Sequence, residues 1–215
     1  MNGEGRRAEA APVSLRLPGA DLRLFRNESW GEPTERLHSR LIAEIPWRQQ
    51  SITLFGKTLP QPRLICWMGD AGCTYTYSGT RWEPEPWHPL VDVLRTRVEA
   101  LAGARFNAVL LNLYRDGADS MGYHADDEPE LGEKPVIASL SFGAERAMTF
   151  RHRHDPAQAT QRITLGDGDL LVMQGDTQKN WRHAIPKTSR IIGPRVNLTF
   201  RRIASSPRLP EDGRP

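Results

Sequence analysis

The sequence predicts a mainly β fold, a sandwich or open barrel with helices packed outside it. Three observations carry that prediction. Short segments rich in β-branched and aromatic residues recur along the chain between turn residues. Helical spacing is confined to the first half. Along the longest candidate strands, polar and apolar residues alternate.

Residues 1–13 and 205–215 are rich in Gly, Ala, Pro, Ser and charge and read as loose tails around one domain, 14–204. Thr34 reads as the cap of a helix at 35–45, where Leu37, Leu41, Ile42 and Ile45 share a face. A second helix, 89–102, starts on Pro89, carries Leu90, Val93, Leu94, Val98 and Leu101 on one face, and stops at Gly103. Strands are expected at 51–55, 63–68, 74–78, 106–114, 136–142, 147–152, 162–165, 169–174 and 195–201. Turns such as Gly143-Ala144-Glu145 and Gly166-Asp167-Gly168 separate them. The division within the domain falls near 104: helices and hairpins over 14–104, the main β core over 105–204.

At 215 residues, with 38% hydrophobic and 26% charged, the chain has the composition of a soluble globular domain with an ample core. No apolar run approaches the ~20 residues of a membrane span, and MNGEGRRAEAAPVS lacks the apolar stretch of a secretory signal, so a cytoplasmic setting is expected. Cys66 and Cys73 form no CxxC pair, which fits a reducing compartment and excludes a cysteine-built zinc site. The net charge of +3 permits a polyanionic partner. Lysine is confined to Lys57, Lys134, Lys179 and Lys187, so arginine carries the positive charge; a phosphate partner and an arginine-rich genome explain this equally well.

The chemistry starts at NLYRDGADSMGYHADDE, residues 112–128. On extended chain, His124 and Asp126 point the same way and offer two ligands to one point. His183, in NWRHAIP after the strand at 169–174, supplies a third. Two imidazoles and one carboxylate form the facial triad of non-haem iron(II), with positions left open for a cosubstrate and O2. In RVNLTFR, Arg195, Asn197, Thr199 and Arg201 share one strand face, opposite Val196, Leu198 and Phe200. Such a face is costly to bury without an anion, and a short dicarboxylate suits it; a solvent-exposed face with scattered arginines is the alternative. Leu110, Asn112 and Tyr114 share a face of FNAVLLNLY in the same way.

The ordered set NLYRDG, HADDEPELG, ASLSFGAER, MTFRH, WRHAIP and PRVNLTFR resembles the AlkB family of iron(II)- and 2-oxoglutarate-dependent nucleic-acid demethylases. Within that family it is most similar to the group of human AlkB homologues two and three and their bacterial relatives. The resemblance implies a double-stranded β-helix (jelly-roll) core with an N-terminal nucleotide-recognition extension. It implies that the protein is a monomer, cytoplasmic or, in a eukaryote, nuclear, that acts on alkylated DNA or RNA. It assigns iron to His124, Asp126 and His183, and 2-oxoglutarate to Arg195, Tyr114 and Asn197 at the distal carboxylate and to Arg201 and Asn112 at the metal end. With Asp126 present no position is left for a halide, so halogenation is disfavoured.

On the substrate side, the resemblance gives Tyr75, Tyr77 and Ser78 to the lesion pocket, Arg63 to a nearby polar contact and Glu128 to the exocyclic amine of the base, with Asp127 at the rim. A flipped base would stack between Tyr77 and His124. ITLFGK matches a hairpin whose Leu54 and Phe55 would fill the gap in a duplex; ordinary packing of a short strand is the alternative. The implied reaction removes the methyl from N1-methyladenine or N3-methylcytosine with O2 as oxidant.

Overall fold

The structure is a computed structural model that describes residues 11–26, 28–54, 57–77 and 80–204; at 52–54, 57, 75–77, 80 and 81 it describes the backbone alone. In chain order the strands are β1 (Val13–Leu15), β2 (Asp21–Phe25), β3 (Ser51–Leu54), β4 (Lys57–Pro60), β5 (Leu64–Gly69), β6 (Tyr75–Tyr77), β7 (Thr80–Trp82), β8 (Ala108–Tyr114), β9 (Met121–His124), β10 (Ile137–Gly143), β11 (Arg146–His152), β12 (Gln161–Leu165), β13 (Leu170–Gln174), β14 (Trp181–Ile185) and β15 (Arg195–Arg201). The helices are α1 (Thr34–Glu44), α2 (Pro89–Ala102) and the single turn α3 (Thr177–Asn180).

Seven strands form a major antiparallel sheet in the order β1-β2-β13-β10-β15-β8-β5, and four form a minor one, β12-β11-β14-β9. Alternation along the central strands sorts their side chains into two cores. Val109, Leu111, Leu113, Val196, Leu198 and Phe200 turn to one face, where they pack with Leu37 and Leu41 of α1 and Leu90, Leu94 and Val98 of α2. Leu110 and Tyr114, on the other face, pack with Met148, Phe150, Trp181 and Ile185 of the minor sheet. The result is three layers, helices on sheet on sheet, and the expected jelly-roll is the observed architecture. β3 with β4 and β6 with β7 form separate two-stranded hairpins in the first half of the chain.

Some expectations shift in detail. Val13, placed in a loose tail, pairs with Leu24 on β2. Thr34 is the first helical residue; Pro33 precedes the helix and no side chain caps it. Helix α2 runs from Pro89 to the left-handed Gly103 (φ 69°) as expected, with His88 Nδ1 accepting from the Leu90 amide. Its buried face, however, takes Val91 and Ala102, and Val93 is 66% exposed. His183 does not simply follow the strand at 170–174: α3 intervenes, and the histidine lies on its own strand, β14. Cys66 and Cys73 are free and buried. Among the described residues no helix is long and apolar enough to cross a membrane.

Phe142 is fully buried and meets Trp30 edge-on at 6.3 Å. Phe142→Ala should cost about 3–5 kcal/mol in denaturant unfolding, whereas Val93→Ala on the same core's helix should change stability by under about 0.5 kcal/mol. A large loss at Val93 would contradict the face assigned to α2.

Candidate metal centre

The minor sheet brings the two histidines together by register, because His183 of β14 is paired with His124 of β9. Both side chains turn inward, their ring centroids 4.3 Å apart. The chain leaves β9 after His124, and Asp126 follows in a bend, so the carboxylate lies beside the strand end. One ligand atom from each of His124, Asp126 and His183 lies within 4.8 Å of the others. That spacing suits a single ion.

Hydrogen bonds prepare each group. His124 Nδ1 is 3.0 Å from the Gly122 carbonyl. A carbonyl only accepts, so the proton sits on Nδ1 and Nε2 keeps its lone pair. Arg201 donates to Asp126 Oδ1 in a fully buried ion pair. The other carboxylate oxygen, Oδ2, is buried with no hydrogen-bond partner and lies 3.6 Å from His183 Nε2. A buried carboxylate oxygen in that state calls for a cation. The Asp126 amide donates to Gln178 Oε1 at 3.0 Å, which ties the ligand loop to α3.

Burial would raise the Asp126 carboxyl, but Arg201 and the two imidazoles together outweigh it and hold it below the ordinary range. His183 is pushed down to about 3, first by burial and then by His124. Burial lowers His124 as well, against the pull of Asp126. At neutral pH the cluster is therefore two neutral imidazoles and a carboxylate, the protonation state metal binding requires.

A buried chamber between the sheets continues from this cluster. Leu110, Met121, Met148, Met173 and Ile185 form its apolar lining; Asn112, Tyr114, Ser139, Asn197, Thr199 and Arg201 form the polar one. Register explains the polar side: on the major sheet Arg195 pairs with Tyr114 and Asn197 with Asn112. Asn197 donates to Ser139 and Leu140 and accepts from Thr199. Arg195 is 1% exposed and donates to Ser141 Oγ at 2.9 Å, yet its Nε and Nη1 meet no acceptor at hydrogen-bond distance. Burial, helped by the charge of Arg146, lowers its guanidinium to about 10. A buried cation with spare donors fits a carboxylate ligand.

Arg63 is buried, and its Nε donates to Asn112 Oδ1 at 2.8 Å, so it orients a residue of the chamber. Asp127 accepts from Arg153. Glu128 is half-buried just beyond the metal loop. Leu54, Tyr75 and Tyr77 are described by backbone alone, and Phe55 and Ser78 lie outside the described residues. Gln178, Arg146 and Arg153 were not anticipated; the conspicuous polar run TQKN before WRHAIP was the available signal for Gln178.

The chain belongs to the 2OG-Fe(II) oxygenase superfamily, whose family model matches residues 21–201. Within it, the relatives are AlkB homologues. Human alpha-ketoglutarate-dependent dioxygenase alkB homolog 3 is 43% identical over 177 residues, 79% of this chain and 61% of that protein. Human DNA oxidative demethylase ALKBH2 is 43% identical over 158 residues, covering 71% and 60%, and its Arabidopsis thaliana counterpart 38% identical over 188, covering 75% and 59%. The chain thus spans about three fifths of the length of these relatives. A solved structure titled "The structure of OsALKBH1" superposes with a TM-score of 0.60 over 89% of this chain and 99% of the other, at 16% identity, a likeness of fold. The family's cofactors are iron(II) and 2-oxoglutarate, with O2, and the bare Asp126 oxygen and the spare Arg195 donors fit them.

Two outcomes follow. Gln178→Leu leaves the Asp126 amide without its acceptor and should weaken Co(II) or Mn(II) binding by roughly 10–100-fold with the fold intact by circular dichroism; unchanged metal affinity would remove Gln178 from the site. Metal-free protein should lose stability between about pH 7 and about pH 5, because the unfolded chain takes up protons on histidines near their ordinary 6.5 that the folded imidazoles refuse. His38, also lowered by burial, acts in the same direction. The thermal midpoint should therefore drop on acidification, less steeply in His183→Gln, and equal midpoints at both ends would contradict the assignment.

Proposed function

We propose that the protein is an oxidative demethylase of alkylated nucleic-acid bases, N1-methyladenine and N3-methylcytosine, with duplex DNA favoured, carried by one domain over residues 14–204. The observation that carries the reading is a bare metal-facing oxygen on Asp126 in a chamber whose wall residue Tyr114 is paired with a buried, under-bonded Arg195. The name of the relative DNA oxidative demethylase ALKBH2 supports the choice of substrate. The reading carries with it a monomer that works where nucleic acid is, in the cytoplasm or, in a eukaryote, the nucleus.

In this reading Asp126 Oδ2, His124 and His183 hold iron. Arg201 keeps Asp126 charged and turns Oδ1 away from the metal. Arg195 grips the distal carboxylate of 2-oxoglutarate beside Tyr114 and Asn197. Arg201 and Asn112 attend the metal end, where Arg63, by engaging the Asn112 carbonyl, leaves the amide NH2 as donor. Bound iron(II) with 2-oxoglutarate and O2 supplies the oxidising power that hydroxylates the N-methyl carbon, and the hydroxymethyl product falls apart to formaldehyde and the repaired base. The methionine and leucine lining keeps bulk water from the reacting end.

Glu128 accepts from the exocyclic amine of the flipped base, whose positive charge it also favours. Tyr77 and His124 stack on the ring, and Tyr75 and Ser78 complete the pocket, with Asp127 at the rim beside Arg153. The hairpin of β3 and β4, closed by the Leu54–Lys57 pair, supports a duplex wedge of Leu54 and Phe55 over plain core packing of that segment.

The test is anaerobic loading with iron(II) and 2-oxoglutarate, then O2 and a duplex bearing one N1-methyladenine. Formaldehyde and succinate should form in step with loss of the methyl, and Asp126→Ala should be silent. Leu54→Ala with Phe55→Ala should reduce duplex repair far more than repair of the single strand. Turnover of 2-oxoglutarate with DNA untouched would point to the same chemistry on RNA or a protein side chain. Bound metal without any turnover would leave a non-enzymatic jelly-roll.

A further inference from the structure

Arg146, the first residue of β11, is 3% exposed and lies outside the ligand set. Its guanidinium donates to the carbonyls of Asp116 (3.1 Å), Asp119 (2.9 Å) and Pro186 (2.7 Å). Those bonds join the turn that leads from β8 into the His124 strand to the turn that follows the His183 strand. All the acceptors are neutral. The nearest carboxylate, Asp119, spends both oxygens on Arg115, at 2.8 Å each. Asp116 caps the Ala118 amide. Arg146 is thus a buried cation whose hydrogen bonds all go to uncharged groups, and burial lowers its guanidinium.

Its position explains where that charge acts. Arg146 lies over the ring of Tyr114 at 5.5 Å, and Arg195 lies over the same ring at 5.3 Å. Two guanidiniums converge on one tyrosine of the chamber wall, and the charge of Arg146 adds to the cost of burying Arg195. The carboxylates of Asp119 and Asp116 offset part of the cost of burying Arg146, but they leave Arg195 with its Nε and Nη1 unbonded, so a second cation on the same ring adds to the demand for an anion there.

We propose that Arg146 is a specificity-determining residue for the cosubstrate: from beyond Tyr114, without touching the ligand, it adds a second positive charge to that of Arg195 and selects a diacid over a monoacid. The inference rests on the reading of Arg195 as the seat of the distal carboxylate. Charge acts at this range where contact does not, since the chamber wall is buried and poorly screened.

The experiment is equilibrium binding, without turnover, of 2-oxoglutarate and of the monoacid 2-oxobutyrate to Mn(II)-loaded protein under anaerobic conditions, followed by titration calorimetry. Arg146→Met should lose on the order of tenfold in 2-oxoglutarate affinity and leave 2-oxobutyrate unchanged, and Arg146→Lys should keep the wild-type preference. Equal weakening of both acids would reduce Arg146 to a clamp on two turns and overturn the proposal, as would unchanged 2-oxoglutarate binding in Arg146→Met. If Arg146→Met does not fold, Arg146→Lys decides alone: charge retained with the carbonyl clamp lost must preserve the preference, and its disappearance refutes the idea. Failure of the wild type to bind 2-oxoglutarate at all would sink the reading of Arg195 and this inference with it, whereas wild-type binding with an unmoved Arg146→Met sinks the inference alone.

Discussion

The buried ion pair of Asp126 with Arg201 is the constraint from which the rest of the site follows. Taking both charges out of water is expensive, and a pair alone seldom repays it. Here the carboxylate is also within reach of His183, and its backbone amide is held by Gln178. Because Arg201 occupies Oδ1, the other oxygen has one direction left to face, toward the imidazoles. The ion pair thereby sets ligand geometry as well as charge. It also draws β15, which carries Arg201, to the end of β9, and so couples the two sheets across the chamber.

That coupling explains why β15 and β8 are buried along their whole length. A strand covered on both faces usually reads as continuously apolar. These strands instead alternate, and the polar face is buried all the same. One side anchors α1 and α2 through Val196, Leu198 and Phe200; the other carries Asn197, Thr199 and Arg201 into the chamber, with Arg195 buried beside Tyr114. A one-residue slip of register would bury four polar groups under the helices, so the core that stabilises the fold also specifies where the cations lie.

This is why so much of the site was legible in the sequence. Alternation in RVNLTFR and FNAVLLNLY marked the polar face that lies between the sheets, and Pro89 and Gly103 marked both ends of α2. The interval from His124 to Asp126 marked the metal loop. What escaped had no local signature. β9 and β14 are short and carry Gly122 and histidines where a strand reading expects apolar residues, so the two strands that hold the ligands looked like loop. Gln178 reaches Asp126 across 52 positions and Arg63 reaches Asn112 across 49, and no periodicity records such a bond. Arg146 stood in plain view in ASLSFGAER, but its meaning depends on two turns that only the fold brings together.

The balance of charge in the chamber links stability to ligand. Asp126 is a single buried anion facing Arg201, with Arg195 and Arg146 nearby against Tyr114. The metal-free, ligand-free chamber therefore carries a positive excess that the protein must tolerate, and the lowered guanidinium of Arg195 is one sign of that cost. A divalent metal alone would neutralise Asp126 and deepen the excess at the far end. A dianion alone would relieve the arginines and stand close to a bare carboxylate oxygen. Only the two together leave neither end uncompensated. Each should then bind more tightly in the presence of the other, and by linkage the same pair should stabilise the fold more than the sum of its members. The site's affinity and the apo protein's strain are one electrostatic fact seen from two states.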